Sequence, residues 1–232
     1  MIDLYALTSP NVVKIFIALE ELELPYETKL VDVWKGEHFT SDFARLNPNR
    51  KIPVIVDHDG PGGTPVTVFE SGAILVYLAE KTGRLLPAEP RARLEVLQWL
   101  MLQVASVGPM CGQLVHFRRY APSGNDYSMS RYRTEVNRLF DLYDERLRER
   151  DHVAGGAYSI ADIAAFPWLR NVDLLGMSLA ARPNLARWIE TLAGRPAAQR
   201  ALAKVATIQT ARDTASDDVK DRIFQRGDYA RA

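Results

Sequence analysis

The chain has 232 residues, 47% hydrophobic and 25% charged, and its 29 basic and 29 acidic residues cancel to a formal net charge of zero. That apolar content excludes a disordered chain, and the length suffices for one large domain or two small ones to bury a core without disulfide or metal. Balanced charge without a basic run argues against nucleic acid as the main partner, and a single cysteine, Cys111, allows neither an internal disulfide nor a cysteine-rich zinc site, as suits a reducing compartment.

Met1-Ile2-Asp3-Leu4-Tyr5 enters a strand pattern at once, without a basic region ahead of an apolar stretch, so no targeting segment is expected. With no uninterrupted run of 18 apolar residues, no membrane span is expected either, and the default location is the cytoplasm. Residues 2–7 predict a first strand, and Thr8-Ser9-Pro10-Asn11 a turn. Val12, Ile15, Phe16 and Leu19 then recur at helical spacing, leaving Lys14, Glu20 and Glu21 to face water. Pro25 closes that helix. Tyr26 to Val33 alternates as a second strand, which makes a right-handed βαβ unit. A polar, loosely structured stretch follows. Lys51-Ile52-Pro53-Val54-Ile55-Val56-Asp57 predicts a third strand introduced by a proline. Asp59-Gly60-Pro61-Gly62-Gly63-Thr64 is a dense turn signal, and Val66 to Phe69 a short antiparallel partner. Glu70-Ser71-Gly72 opens a helix running to about Thr82. From Arg91 onward no strand is expected: residues 91–118, 127–150, 160–171 and 183–193 carry helical periodicity, with a shorter helix over 196–206. The expected organisation is an α/β domain over 1–82, a linker over 83–90, an all-helical domain over 91–206 and a polar surface tail over 207–232, in part helical.

Four stretches sharpen this outline: Ser9-Pro10-Asn11 after the first strand; Asn49-Arg50-Lys51-Ile52-Pro53-Val54; Phe69-Glu70-Ser71-Gly72-Ala73-Ile74 with Tyr77-Leu78; and Tyr158-Ser159-Ile160-Ala161-Asp162-Ile163. In this order across residues 1–206 they resemble the cytosolic glutathione transferases. The runs Phe69 to Glu80 and Leu97 to Met110 are most similar to the bacterial Nu-class subgroup, which is associated with glutathione-dependent disulfide reduction. The resemblance implies a thioredoxin-like βαβ-ββα domain followed by an all-α domain, glutathione as co-substrate, no metal, and a homodimer. The four histidines, His38, His58, His116 and His152, lie far apart without paired ligand spacing.

The resemblance also implies a cis Ile52-Pro53 bond, which leaves the backbone of Ile52 to pair with the cysteinyl part of glutathione as one added rung of sheet. Glu70-Ser71 at a helix start suits the γ-glutamyl zwitterion. The Glu70 carboxylate matches the ammonium, while the Ser71 hydroxyl and N–H match the carboxylate. Lys51 reaches the glycyl carboxylate. His38 stands where relatives often place a glutamine that contacts glutathione, and Arg131 matches an arginine that helps to hold it; an exposed loop histidine and a solvated helix face are the respective alternatives. Ser159 and Asp162 form a capping box with a structural role.

A thiol with its ordinary pKa near 8.5 is only a few per cent ionised at pH 7, and lowering it by two units needs about 2.7 kcal/mol of preference for the anion. Ser9 and Asn11, at a helix N-terminus, are the donors expected to supply it. Tyr5 belongs to the core and Cys111 to an apolar helix, where it is a packed thiol. With no cysteine near the turn, any reductase activity must use bound glutathione as the thiolate, and a second glutathione to complete the exchange. The leading reading is therefore reduction of small disulfides or organic peroxides, with transferase activity toward electrophiles. A conventional conjugating transferase and a non-catalytic glutathione-binding scaffold are the alternatives.

Overall fold

The computed structural model describes residues 1–225; the last seven positions of the expected tail, residues 226–232, lie outside the described residues. The chain divides into two compact units, one comprising Met1–Ile74 with the segment from Ala201 onward, the other Leu75–Arg200.

The first unit carries four strands, β1 (Ile2–Ala6), β2 (Tyr26–Leu30), β3 (Val54–Asp57) and β4 (Val66–Phe69), in the spatial order β2-β1-β3-β4. β1 and β2 are parallel, with Ala6 level with Leu30, and α1 (Pro10–Leu22) joins them. β3 runs antiparallel to β1 and β4, so Tyr5 and Phe69 are both level with Val54. The mixed sheet and its helices give the expected thioredoxin-like arrangement.

Ser9 caps α1 by accepting from the Val12 N–H at 3.3 Å, and Pro10 fills the first turn, where no N–H is needed. Every residue from Val12 to Leu19 is buried. Lys14, expected to face water, is therefore only 1% exposed. The amphipathic pattern misplaces it because this helix is enclosed on more than one face, and a polar contact inside the unit receives the lysine head. At the other end of α1, Lys204 donates to Glu20 and to the Tyr26 hydroxyl, each at 2.7 Å.

The polar stretch between β2 and β3, expected to be loose, is organised by capping. Asp32 Oδ1 accepts from the Trp34 N–H at 3.0 Å, and Thr40 Oγ1 accepts from the Phe43 N–H at 3.3 Å at the start of α2 (Ser41–Leu46). Two single 3-10 turns, Val33–Lys35 and Glu37–Phe39, precede it. Elements this short show no periodicity in sequence. Phe43 packs with Val31 and Val54, and Tyr5, Leu46 and Ile52 cover them, which places Tyr5 in the packing as expected. The described part of the tail docks here. Ala211 N–H donates to Asp32 Oδ2 at 3.1 Å, Phe224 meets Trp34 edge-on at 5.8 Å, and the Arg222 guanidinium lies 4.5 Å over Phe39.

Helix α3 (Ser71–Thr82) follows β4. The second unit contains α4 (Pro90–Leu102), α5 (Gly108–Arg119), α6 (Asp126–Arg146), α7 (Ile160–Leu169), α8 (Val172–Leu175) and α9 (Pro183–Ala193), with α10 (Pro196–Thr207) leading back to the first unit, where α11 (Asp217–Phe224) lies. No strand occurs here among the described residues. The single helix expected over 91–118 is α4 and α5 joined by one π turn, Gln103–Val107. An 18-residue window of this run, Pro90–Arg119, reaches a mean hydropathy of 1.2, enough by length and composition alone for a membrane span. Within the unit it turns one stripe inward, burying Val96, Leu100, Val107, Cys111 and Leu114 at helical spacing.

All ten residues of α7 are buried, and Ser159 and Asp162 form the expected capping box. The Asp162 carboxylate accepts from the N–H groups of Val153 (3.0 Å) and Ser159 (3.1 Å) and from Trp188 Nε1 (3.0 Å). Burial raises its pKa, while these donors act in the opposite direction. Ser159→Ala is expected to cost about 1 kcal/mol in urea unfolding, the usual loss for a cap, without altering turnover. Unchanged stability would show that Asp162 alone holds this corner.

Candidate active site

The sheet register assembles the site. β1 and β4 end, and β3 begins, at one edge of the sheet, because Tyr5, Val54 and Phe69 are level with one another. The segments just beyond those strand ends are Ser9 to Asn11, Lys51 to Pro53, and Glu70-Ser71. β2 ends at the same edge, Leu30 beside Ala6, and leads into the turns that carry His38. Thus Ser9, Asn11, His38, Lys51, Ile52, Pro53, Glu70 and Ser71 share one end of one sheet. Arg131 belongs to the other unit, on α6, where it lines a depression of about 240 Å³ with Tyr127, Ser130, Thr134 and Glu135.

Ser9 and Asn11 are both half-buried. The Ser9 oxygen accepts the capping bond from Val12, which leaves its hydroxyl proton to be donated elsewhere. Cap and thiolate donor are therefore compatible roles for one side chain, at the positive end of a helix of 13 residues.

The Ile52-Pro53 peptide bond is cis. Ile52 lies outside the β3 ladder, so its backbone borders the sheet edge without forming part of it. The loop before it is tied by Asn47, which sequence reading did not single out. Its side chain, 1% exposed, donates to the Lys51 carbonyl at 2.7 Å and accepts from the Asn49 N–H at 2.9 Å. Asn followed by Pro and Asn is an ordinary turn signal, and only the fold shows which carbonyl it holds. His38 is buried, not the exposed loop histidine held as the alternative. Burial lowers its pKa, and the nearby cations Lys51, Arg222 and Arg50 lower it further, so the ring is neutral at pH 7. Its Nδ1 is buried without a hydrogen-bond partner among the described residues.

Glu70 occupies the left-handed region at φ 69°, uncommon for a non-glycine residue. Its carbonyl accepts the first helical bond of α3, from the Ile74 N–H at 2.9 Å, which puts Ser71 in the first turn, where backbone N–H groups lack helical partners. Ser71 is itself buried, and its hydroxyl oxygen accepts from Lys14 Nζ at 3.2 Å. Burial pushes the Lys14 ammonium down to about 7, opposed by the neighbouring Glu70 carboxylate. A carboxylate, a hydroxyl, a helix N-terminus and a buried amine thus meet at one corner. This donor set fits a ligand end that carries both an ammonium and a carboxylate.

Cys111 is fully buried on α5, where burial pushes its thiol up to about 12. It is inert as a nucleophile at neutral pH. Cys111→Ala is expected to retain most of the turnover with glutathione and a model disulfide, and the parent thiol to react with an aromatic disulfide reagent only on unfolding. A hundredfold loss in a folded variant would move the nucleophile to the protein. Among the described residues no group of three or more His, Cys, Asp or Glu side chains is placed to hold a metal ion.

Residues 8–81 match the glutathione S-transferase N-terminal domain and residues 112–196 the glutathione S-transferase C-terminal domain. The chain belongs to the glutathione S-transferase family. It is 47% identical over 205 residues to the disulfide-bond oxidoreductase YfcG of Escherichia coli (strain K12), covering 88% of this chain and 95% of that protein. Among solved structures it resembles a glutathione transferase family member from Pseudomonas fluorescens pf-5 with two glutathione bound (TM-score 0.82, 42% identity, 87% of this chain and 92% of that one). A glutathione transferase from Pseudomonas putida, with one glutathione disulfide bound per subunit, is equally similar (TM-score 0.82, 42% identity, 87% and 90%).

Proposed function

We propose that this protein is a glutathione-dependent disulfide-bond reductase that uses two molecules of glutathione per turnover. The observation that carries this reading is the absence of a protein thiol from the site, since the one cysteine is buried on α5 with its pKa raised. Glu70 and Ser71 hold the γ-glutamyl end, Ile52 pairs with the cysteinyl backbone, and Lys51 meets the glycyl carboxylate. His38, neutral and buried, shapes the wall beside Lys51. Ser9 and Asn11 donate to the glutathione sulfur and keep it ionised. The thiolate attacks one sulfur of the substrate disulfide; the S–S bond breaks, and the departing thiolate takes a proton from solvent. A second glutathione thiolate attacks the mixed disulfide, releasing the other substrate thiol and glutathione disulfide. Two glutathiones are oxidised for each disulfide reduced. An organic hydroperoxide is an alternative oxidant for the same thiolate: the O–O bond breaks to give an alcohol and glutathione sulfenic acid, which a second glutathione converts to glutathione disulfide and water.

The protein acts in the cytoplasm, where glutathione keeps thiols reduced, and as a homodimer. Leu94 and Met101 on α4 and Tyr127 on α6, all exposed, are apolar surface available for a partner. Glutathione at one hundred times its dissociation constant should stabilise the fold by about 2.7 kcal/mol, a rise of roughly 5–10 °C in melting temperature. A rate that depends on the second glutathione, with glutathione disulfide formed one-for-one with disulfide consumed, separates reduction from conjugation. No thermal shift at about 10 mM glutathione would remove the glutathione reading.

A further inference from the structure

We propose that Lys14 is a positioning residue for the γ-glutamyl carboxylate of glutathione: its ammonium, buried under the start of α3, turns the Ser71 hydroxyl proton toward the ligand and supplies the positive charge that the carboxylate meets. The inference rests on the glutathione reading above and deepens it.

The argument begins from cost. A lysine is almost never fully buried unless it is paired, and an apolar residue would serve α1 better in a helix buried from Val12 to Leu19. Yet Lys14 is 1% exposed, and its Nζ lies 3.2 Å from Ser71 Oγ, a residue 57 positions further along the chain. A lysine ammonium has donors and no acceptor. The Ser71 oxygen must therefore accept, and its single proton points elsewhere. Ser71 stands at the start of α3 beside Glu70, whose carbonyl opens the helix. The hydroxyl proton and the unpaired N–H groups of the first turn form one donor set for an anion.

Charge balance supports the same role. Glu70 is needed for the ligand ammonium, but alone it would repel the carboxylate on the same ligand carbon. Lys14 offsets that charge from behind. The lowering of its pKa to about 7 is caused first by burial, with Glu70 opposing it. Glu20, Tyr26 and Lys204 are joined to one another at the far end of α1. An uncharged Lys14 could accept the Ser71 proton and remove the donor that the ligand uses. Binding of the carboxylate is therefore coupled to proton uptake by Lys14 above neutral pH.

The test is calorimetric titration with glutathione and with γ-aminobutyryl-cysteinyl-glycine, which lacks the α-carboxylate, on the parent, K14M and K14R. The parent is expected to prefer glutathione by at least tenfold, and K14M to lose most of that preference through weaker glutathione binding, with K14R restoring part of it. At pH 8, titration in two buffers of different ionisation heat should show the parent taking up more protons with glutathione than with the analogue, the release from the ionising thiol being common to both ligands. A K14M protein with the parent's preference overturns the proposal and leaves the glutathione reading standing; a parent that binds neither ligand overturns both. Should K14M not fold, the proton counts on the parent decide, and equal counts for glutathione and the analogue at pH 8 overturn the role of Lys14.

Discussion

Asn11→Ala and Ser9→Ala are each expected to lower turnover by about a hundredfold, the loss seen when one donor to a developing or full anion is removed. The effect falls on turnover more than on glutathione affinity, because Glu70, Ser71 and Ile52 sit at other strand ends and hold other parts of the ligand. The two losses should not add, since both donors act on one sulfur. The sign with pH follows from the thiol. Fewer donors raise its pKa, so less thiolate is present at neutrality, and the rate profile of each variant moves to higher pH. Ser9→Ala carries a second, separable effect. Ser9 caps α1 through the Val12 N–H, so that variant should also lose about 1 kcal/mol of stability, whereas Asn11→Ala should not lose that cap. The direct measurement is the ultraviolet absorbance of the thiolate in the glutathione complex, titrated against pH. If both variants titrate like the parent, the turn after β1 is not the activating element, and the backbone N–H groups at the start of α1 become the candidates.

The strand ends that build this site are legible in sequence because each is marked by a residue with a local rule: a cap at Ser9, a proline at position 53, a helix start at Glu70-Ser71. Strand alternation and the helical spacing of Val12, Ile15, Phe16 and Leu19 fix most of the elements for the same reason. What escapes is whatever depends on the third dimension. Lys14 reads as solvated because a lysine on a helix is usually so; its burial follows from the enclosure of α1, and its partner lies 57 residues away. Asn47 reads as a turn residue, and its hold on the Lys51 carbonyl appears only once the loop is closed. The turns from Val33 to Phe39 are shorter than one helical repeat, so periodicity cannot find them. The π turn at Gln103 is likewise invisible, since the apolar spacing on either side remains that of one helix.

Glu70 offers a way to separate fold from function at one position. Its φ of 69° puts an ordinary side chain in the left-handed region, which costs on the order of 1 kcal/mol. Glycine and asparagine visit that region more readily, so local conformation alone would select either of them. The carboxylate offsets that cost in part through its attraction to Lys14 and otherwise only if a ligand uses it. Glu70→Gly and Glu70→Asn are therefore expected to leave stability within about 1 kcal/mol of the parent, because relief of the backbone is partly cancelled by the freer unfolded chain in the glycine case. Both should weaken glutathione by about tenfold to a hundredfold, the 1.5–3 kcal/mol of a hydrogen bond to a charged group. The side chain is exposed in the free protein, so its full value is realised only when the ligand covers it, and high salt should reduce the difference between parent and variants. The partner can be removed from the other side. A glutathione analogue without the α-amino group, glutaryl-cysteinyl-glycine, should bind parent and Glu70→Asn with nearly equal affinity, because the ammonium that Glu70 meets is gone. If the analogue distinguishes the two proteins as strongly as glutathione does, Glu70 acts by shaping the start of α3 and not by meeting the ammonium.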